Sequence, residues 1–332
     1  KGRLCRKGIL AFDAVDDERL TAPLVRRDGR LVPASWETAL DRIVAEFEDV
    51  LDERGPDGLA FLGAPHCTNE ENYLLQKLAR TLGTNDVDNR ARGCHAETAR
   101  VLADRLGYPA TTNALADLPA ADVFLVAGAN PAERHPVAFD GAIRPAVADG
   151  ATLVHVDPHE NGTTRLADRH VAPRPGTDAL VATLLCSIVV ANGAVDRAFV
   201  RERTTGFERF RASVRDRDVD AAAAAAGVDP ATLRDVAATV GDADRVAVLT
   251  GTGVDETATA DALLDLLLLT GNLGRPGTGV HVLRGLSNEQ GATDAGCVPD
   301  RLPGHQPVDD DAARERLRAE WGVPPPATSG DT

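Results

Sequence analysis

The sequence contains no methionine and only three lysines, Lys1, Lys7 and Lys77, among its 332 residues. Its 51 acidic and 36 basic residues give a net charge of −15, and a strongly negative surface repels phosphate, so we expect no nucleic-acid partner. An acidic chain that uses arginine instead of lysine is typical of proteins that stay hydrated at high salt, although a GC-rich genome also favours arginine. We expect folding to need high salt; a melting temperature independent of salt concentration would contradict this.

Long hydrophobic runs are also absent. The longest lies around Ala262–Leu269, far short of the roughly 20 residues of a membrane-spanning helix. No charged and apolar leader opens the chain, so we expect no membrane span and a cytoplasmic location. A chain that begins at Lys1 without methionine is expected to be part of a longer product.

The five cysteines form no CxxC pair, which argues against a disulfide scaffold or a secreted domain. Cys186 lies in the apolar run Leu180–Val190 and is expected to be a small buried side chain. The other four lie among glycine, proline and polar residues, where reactivity matters more: Cys5, Cys67, Cys94 and Cys297.

Apolar strands alternate with amphipathic helices along most of the chain, which predicts a doubly wound, mainly parallel α/β sheet. The predicted strands are Leu59–Gly63, Asp122–Gly128, Ala151–Asp157 and Arg245–Gly251. The predicted helices include Asn69–Leu82, Thr177–Asn192 and Thr257–Thr270. A hairpin turn is predicted at Asp28-Gly29. On the first of these helices, the spacing places Tyr73, Leu74, Leu78 and Leu82 on the buried face.

Glycine and polar residues follow three of the predicted strands, in Gly128–Pro136, Val156–Glu160 and Gly251–Gly253. In doubly wound folds, ligands bind where the carboxyl ends of the strands meet the following helices. No GxGxxG follows a strand and no GxxxxGK[ST] occurs, so the common nicotinamide and P-loop interpretations lose their best support.

Five stretches, in this order along the chain, resemble the molybdopterin oxidoreductases, the superfamily of dimethyl sulfoxide reductase. They are Leu4–Gly8, Asn69–Tyr73 with Gln76-Lys77, Ala91–His95, Gly128–Pro136, and Leu269–Gly277 running into Arg284–Ala292. Within that superfamily the similarity is greatest to the formate dehydrogenase alpha subunit.

The resemblance implies a Rossmann-like domain inserted into a second α/β domain. The expected division is 1–20 as the end of an iron–sulfur domain, 21–89 as the first half of the second domain, 90–286 as the dinucleotide domain, and 287–332 as the truncated return. The family's C-terminal domain is expected to follow.

Three residues carry the implied catalysis. A thiolate is a soft ligand for a transition metal, and the resemblance makes Cys94 the molybdenum ligand, whereas a lone cysteine is otherwise more often buried and idle. His95 is implied as the proton acceptor, with helix capping as the structural alternative. A guanidinium can hold a carboxylate through two parallel hydrogen bonds, and the resemblance assigns Arg284 to the substrate.

The implied cofactor is molybdenum bis(molybdopterin guanine dinucleotide). The residues that the resemblance assigns to it are Lys7, Asn130, Glu133, His135, Asp157, Gly176, Asp178, Gly251 and Gly253. Asp178 would pair with the guanine edge, although a helix N-cap or first-turn charge explains an aspartate there equally well.

Cys5 resembles the last of four cysteines that hold a [4Fe–4S] cluster, and Lys7 resembles the lysine between that cluster and the pterin. Such a cluster needs four ligands, and Cys67 and Cys297 do not match the other positions. Cys5 therefore cannot complete a cluster within this sequence.

The sequence also departs from the family pattern. Leu286, Ser287 and Glu289 stand where Gln, Asn and Val are usual, His159 replaces an arginine, and Arg90 replaces a cysteine.

The implied function is two-electron oxidation of formate, or of another small anion, with electrons passing by way of the pterin to an electron-acceptor protein or iron–sulfur subunit. Two alternatives stay open. One is another superfamily member, such as an assimilatory nitrate reductase, against which His95 and the Arg284 motif argue. The other is an inactive fragment or dinucleotide-binding module.

Overall fold

A computed structural model describes residues 4–15 and 19–331, which form two compact units. The sheet unit comprises residues 92–285, and the split unit comprises residues 4–91 and 286–331. Parts of the predicted segment 1–20 and the final residue of 287–332 lie outside the described residues.

The split unit begins with helix α1 (Arg6–Ile9) and the hairpin β1 (Leu24–Arg27) and β2 (Arg30–Pro33). The two strands pair antiparallel, and the turn between them places Asp28 at φ 48° and Gly29 at φ 75°. Two successive positive φ angles match the right-handed twist of a tight hairpin, and an Asp-Gly pair adopts them readily. The predicted hairpin is confirmed.

Helix α2 (Trp36–Arg54) follows, and Ser35 caps it by accepting a hydrogen bond from the Thr38 amide at 3.1 Å. Strands β3 (Phe61–Leu62) and β4 (Val87–Asp88) pair parallel on either side of helix α3 (Asn69–Thr81). A small apolar core forms between these elements: Phe47, Val50, Leu51, Leu59, Phe61, Leu75, Ala79, Leu82, Val87 and Cys297.

The predicted buried face of α3 is wrong for two of its four residues, whereas Leu82 packs against the core and Tyr73 is half-buried. Leu74 and Leu78 are exposed, whereas the helix buries Asn72, Gln76, Ala79 and Arg80. The reason is that this face meets loop backbone, whose unpaired carbonyl and amide groups need polar partners. The Asn72 side chain, for example, bonds both the amide and the carbonyl of Ala64, at 3.1 and 3.0 Å.

The sheet unit carries the main parallel sheet. Its strands are β5 (Val123–Ala127), β6 (Thr152–Val156), β7 (Arg169–Val171), β8 (Val246–Thr250) and β9 (Gly279–Val282). Its helices are α4 (Ala96–Leu106), α5 (Pro131–Arg134), α6 (Pro136–Ala138), α7 (Arg144–Ala148), α8 (Asp178–Ala191), α9 (Arg197–Arg203), α10 (Phe207–Val214), α11 (Val219–Ala226), α12 (Pro230–Asp242) and α13 (Thr257–Leu269).

The strand order is β7-β6-β5-β8-β9, and every neighbouring pair is parallel. Chain progression therefore reverses between β5 and β8. In a doubly wound fold this reversal opens a crevice at the carboxyl edge of the sheet, the usual ligand site. The predicted α/β fold class with a doubly wound parallel sheet is confirmed.

Both faces of this sheet are covered. Along β5, Val123 and Leu125 belong to one apolar cluster with α8, α12 and α13, whereas Phe124 and Val126 belong to another with residues 139–146. Such burial on both faces explains the nearly all-apolar strand sequence. Cys186 is fully buried in the first cluster, as predicted.

The chain returns to the split unit with α14 (Glu289–Asp294), the antiparallel pair β10 (Arg301–Leu302) and β11 (Gln306–Pro307), and α15 (Asp311–Trp321). Over the residues that the structure describes, no helix combines the length and apolar character needed to cross a bilayer.

Candidate active site

Three glycines let two loops meet at the carboxyl edge of the sheet. A Cβ on Gly128, after β5, would lie 2.7 Å from the carbonyl carbon of Gly253, after β8. A Cβ on Gly251 would lie 2.7 Å from the carbonyl oxygen of Gly128. Gly128 also has a φ of 57°, which disfavours a side chain. The glycines thus keep the crevice between β5 and β8 narrow, and Gly251 and Gly253 are two of the predicted cofactor residues.

Cys94 and His95 lie immediately before α4, and both are 5% exposed. His95 is the N-cap residue of this helix, yet its side chain makes no capping hydrogen bond. The capping alternative for His95 therefore does not describe its imidazole, which is engaged elsewhere.

That engagement is with Arg284, 189 residues further along the chain. The guanidinium Nε donates to His95 Nε2 at 2.9 Å, and the amide of the next residue, Gly285, donates to Cys94 Sγ at 3.2 Å. Because a guanidinium has only donors, His95 Nε2 must be the acceptor in this pair. The structure thus brings the three predicted catalytic residues together: His95 bonds the Arg284 side chain, and Cys94 bonds the amide of the residue that follows Arg284.

His135 joins the same group. Its Nε2 lies 2.7 Å from the carbonyl oxygen of Arg284. The sequence predicted His135 as a cofactor residue and gave no sign of this contact, since nothing in a linear motif shows which backbone group an imidazole meets.

Two other predicted cofactor residues tie the loop after β5 to the loop after β6. Asn130 Oδ1 accepts from the Thr163 hydroxyl at 2.9 Å, and Glu133 Oε1 accepts from the Gly162 amide at 3.0 Å. A Cβ on Gly162 would lie 2.7 Å from Glu133 Oε1, so glycine is needed there. In this structure both side chains therefore shape the edge of the sheet.

Asp157 directly follows β6 and lies near two histidines. Its carbonyl lies 2.8 Å from His170 Nε2, and its carboxylate lies 3.8 Å from His155 Nε2. The His155 and His170 rings stack at 5.7 Å, and burial lowers the pKa of His155. Sequence reasoning missed both histidines, because they meet only through the pairing of β6 with β7, a strand too short to predict.

His159, the substitution next to Asp157, has an exposed ring. Its amide donates to Asp157 Oδ1 at 2.9 Å.

Asp178 is the first residue of α8, after the N-cap Thr177, and Gly176 precedes them with φ 81°. Burial raises the pKa of Asp178, and the neighbouring carboxylates of Asp255, Glu256 and Asp157 raise it further. Asp178 is therefore not the N-cap of α8. Of the two structural explanations for an aspartate here, a negative charge in the first turn of the helix describes its position. Its acidic surroundings nevertheless suit a ligand that offers N–H donors.

In the split unit, Cys5 is half-buried immediately before α1, and Lys7 within that helix is exposed. Two residues of this unit that differ from the family pattern, Arg90 and Glu289, are in contact. Arg90 pairs with Glu289 at 2.5 Å, and the Glu289 side chain is completely buried whereas that of Arg90 is half-exposed.

Several buried polar side-chain atoms of the sheet unit have no hydrogen-bond partner in the part of the chain that the structure describes, as expected where a polar ligand binds. Within the described residues, His135 Nδ1, Thr98 Oγ1 and Thr250 Oγ1 are buried without a hydrogen-bond partner. Thr98 lies in the first turn of α4, and Thr250 ends β8 at the level of Ala127. Buried polar groups of this kind normally have partners, so a polar ligand at this edge would satisfy them.

The sequence profile of the molybdopterin oxidoreductases matches residues 19–310. The chain is 38% identical to "Probable oxidoreductase YjgC" of Bacillus subtilis over 99% of its own length and 34% of that relative. It is 36% identical to "Formate dehydrogenase H" of Escherichia coli over 97% of its own length and 47% of that relative. The chain thus spans less than half of either relative.

Among solved structures, "Acetylene Hydratase from Pelobacter acetylenicus" superposes on 81% of this chain and 38% of its own, with a TM-score of 0.72 and 22% sequence identity. At that identity the likeness supports the fold.

Proposed function

Because this chain belongs to the molybdopterin oxidoreductase family, we propose that its site oxidises formate to CO2 as part of a molybdenum-dependent formate dehydrogenase. One observation carries the proposal. A soft metal ligand, a base and a carboxylate-binding cation, namely Cys94, His95 and Arg284, are joined by hydrogen bonds although about half the chain separates them.

Arg284 is the substrate-binding group. A guanidinium presents parallel N–H donors at the spacing of two carboxylate oxygens, so formate can be held in one orientation. That orientation directs the C–H bond away from the guanidinium. Its Nε bond to His95 holds the side chain near the base.

Cys94 is the metal ligand. Thiolates are soft ligands that suit a transition metal, and the Gly285 amide donates a hydrogen bond that stabilises negative charge on the sulfur. When bound, the molybdenum group supplies the acceptor for two electrons. The chain's part is to bind, orient and exclude water, and the burial of both Cys94 and His95 suits that role.

His95 is the proton acceptor. Oxidation of HCOO⁻ to CO2 releases one proton and two electrons, and the proton needs a base within reach. In the structure His95 Nε2 accepts from Arg284, so this nitrogen is unprotonated, and it can take a proton once the Arg284 N–H no longer occupies its lone pair.

The carboxyl edge of the sheet unit is the proposed dinucleotide site. Asp178 would accept from two neighbouring N–H groups of guanine, and Asn130, Glu133, His135, Asp157 and the glycines at 176, 251 and 253 would line the remainder. Lys7 and Cys5 would lie on the electron path to an iron–sulfur cluster, and from there to an acceptor protein or iron–sulfur subunit.

The test quantifies molybdenum and guanine nucleotide in the purified protein, together with formate-dependent dye reduction. Cys94→Ser should lose the metal, whereas Cys67→Ser should keep it. Arg284→Lys should keep the metal and lose at least about 100-fold in kcat/KM for formate, equivalent to about 2.7 kcal/mol. Arg197→Lys, at an exposed arginine of α9, is the matched control.

Two results would contradict the proposal. One is nitrate reduction without formate oxidation, which would favour the nitrate reductase alternative. The other is a folded protein that holds no molybdenum.

A further inference from the structure

A single peptide group, the one between Arg284 and Gly285, has hydrogen bonds at both of its ends. Its carbonyl oxygen lies 2.7 Å from His135 Nε2, and its N–H donates to Cys94 Sγ at 3.2 Å. The side chain on the same peptide, that of Arg284, reaches His95. His135 is therefore separated from the thiol sulfur by only one amide.

We propose that His135 is a positioning residue that acts on Cys94 and on the Arg284 side chain through this peptide group. The inference rests on the proposed function, since it takes these two residues as the ones that meet metal and substrate. Positioning of the thiolate by a hydrogen-bonded shell is a general way in which proteins tune a metal ligand.

The direction of the first hydrogen bond is fixed by chemistry. A carbonyl oxygen can only accept, so His135 Nε2 carries the proton. In the neutral ring Nδ1 is then an acceptor, and this atom is buried without a partner among the described residues. An N–H or O–H donor on a molecule bound at this edge would complete the ring's hydrogen bonding and stabilise the same tautomer.

The two hydrogen bonds reinforce each other. A donor on the carbonyl draws charge towards the oxygen, which makes the amide proton of the same group more positive and a stronger donor to sulfur. Hydrogen bonds to a ligand sulfur alter the reduction potential of metal centres in general. Loss of His135 should therefore weaken the Gly285–Cys94 bond although His135 never touches the sulfur.

The backbone holds His135 in place for this task. It lies between α5 and α6, its amide bonds the Pro131 carbonyl at 2.9 Å, and Pro136 follows it. Both prolines restrict the backbone. A glutamine at this position can present its amide N–H near the position of Nε2, whereas a leucine of similar size cannot donate at all.

The first measurement uses the 332-residue chain without molybdenum, labelled with ¹⁵N in histidine and glycine. NMR should show His135 protonated on Nε2. Exchange of the Gly285 amide proton with solvent should be about five-fold faster in His135→Leu than in the parent chain, because its hydrogen bond to Cys94 is weakened. His135→Gln should restore slow exchange.

Cys94→Ala provides the matched comparison. If the effect runs through the peptide group, Gly285 exchange is already fast in Cys94→Ala, and adding His135→Leu changes it less than two-fold. If His135→Leu only loosened the loop, it would speed Gly285 exchange further in the Cys94→Ala background. The double variant therefore separates positioning through the peptide group from loss of packing.

A second readout uses the molybdenum-loaded protein. The electron paramagnetic resonance signal of Mo(V) should shift in His135→Leu and return in His135→Gln. Protonation on Nδ1, or equal Gly285 exchange in all variants, would overturn the inference. Failure of Cys94 to hold molybdenum would instead overturn the proposed function and leave the exchange results standing.

Discussion

The two units are stabilised in different ways. In the sheet unit every residue of β5 and β8 is buried, and nearly all of them are apolar. In the split unit the apolar core is small, and many of its buried side chains are polar: Asn72, Gln76, Arg80, Thr84, Asn85, Asn89 and Glu289.

Hydrogen bonding explains the difference. Adjacent strands satisfy each other's backbone groups in the five-stranded sheet, so its side chains can be apolar. In the split unit β3, β4, β10 and β11 have two residues each, and loop carbonyls need other donors. Arg80 supplies them, since its guanidinium donates to the carbonyls of Gly296, Val298 and Arg301 at 2.7 to 2.9 Å.

The units also differ in what they expose. Helix α2 has no fully buried residue, and Trp36, Leu40, Ile43 and Val44 lie largely in solvent. By contrast, α8 and α13 of the sheet unit each bury eight residues. The sheet unit has the more complete core, so single core substitutions there should act through lost apolar packing, and those in the split unit through lost polar contacts.

The largest effect is expected from Arg80→Met. Burial lowers the pKa of Arg80 to about 10, which still leaves it charged at neutral pH. Methionine fills much of the space but leaves three carbonyls without donors, so we expect a loss of about 3–5 kcal/mol in unfolding free energy. Denaturant titration measures it. Arg54→Met, on the exposed surface of α2, should change stability by less than about 0.5 kcal/mol, and an equal loss in both would break the comparison.

Leu125→Ala tests the sheet unit. Leu125 is fully buried in β5, and its truncation should cost about 3 kcal/mol through lost apolar contacts and the cavity left behind. The matched change is Leu74→Ala on α3, where the side chain is 61% exposed and almost no loss is expected. A large loss at Leu74 would show that α3 buries this face in solution.

Arg90→Ala should cost about 2 kcal/mol, because it removes a cation from a completely buried carboxylate. The double variant Arg90→Ala, Glu289→Leu should recover most of that loss. In contrast, Arg42→Ala removes an exposed i,i+4 pair and should cost at most about 0.5 kcal/mol. Additive losses in the double variant would contradict a coupled pair.

Asp178→Asn should give the smallest change, a stabilisation below about 1 kcal/mol at neutral pH. Because the folded chain raises the pKa of Asp178 above its ordinary 3.8, it binds this proton more tightly than the unfolded chain does. The contribution of this group to the free energy of unfolding therefore falls as the pH rises from 3.8 through the raised pKa. In Asp178→Asn the side chain is a neutral amide, so this pH dependence disappears.

Melting temperatures of both chains between pH 3.5 and pH 7 measure the effect. The same variant should weaken guanine-nucleotide binding. Parallel stability curves for the two chains would show that Asp178 is not strained by its neighbours.

Much of the fold could be predicted where a strand or helix has a clear pattern of apolar residues within its own segment. The structure places strands β5, β6 and β8 within the predicted segments, and α8 and α13 within the predicted helices. The short strands β4, β7 and β9 were missed because two to four residues carry little periodicity. The predicted burial of Leu74 and Leu78 on α3 was wrong because apolar spacing does not reveal which neighbours are loop carbonyls.

The sequence by itself determined the fold class, the family and the candidate residues. Its apolar strands, glycine turns and ordered motifs are local patterns that can be recognised without knowing which segments meet. Only the tertiary structure decided which groups meet. It placed the Arg284–Gly285 peptide between His135 and Cys94, and the two substitutions Arg90 and Glu289 against each other. The physical reason is that hydrogen bonds act over about 3 Å, and which distant segments come that close depends on how the whole chain packs.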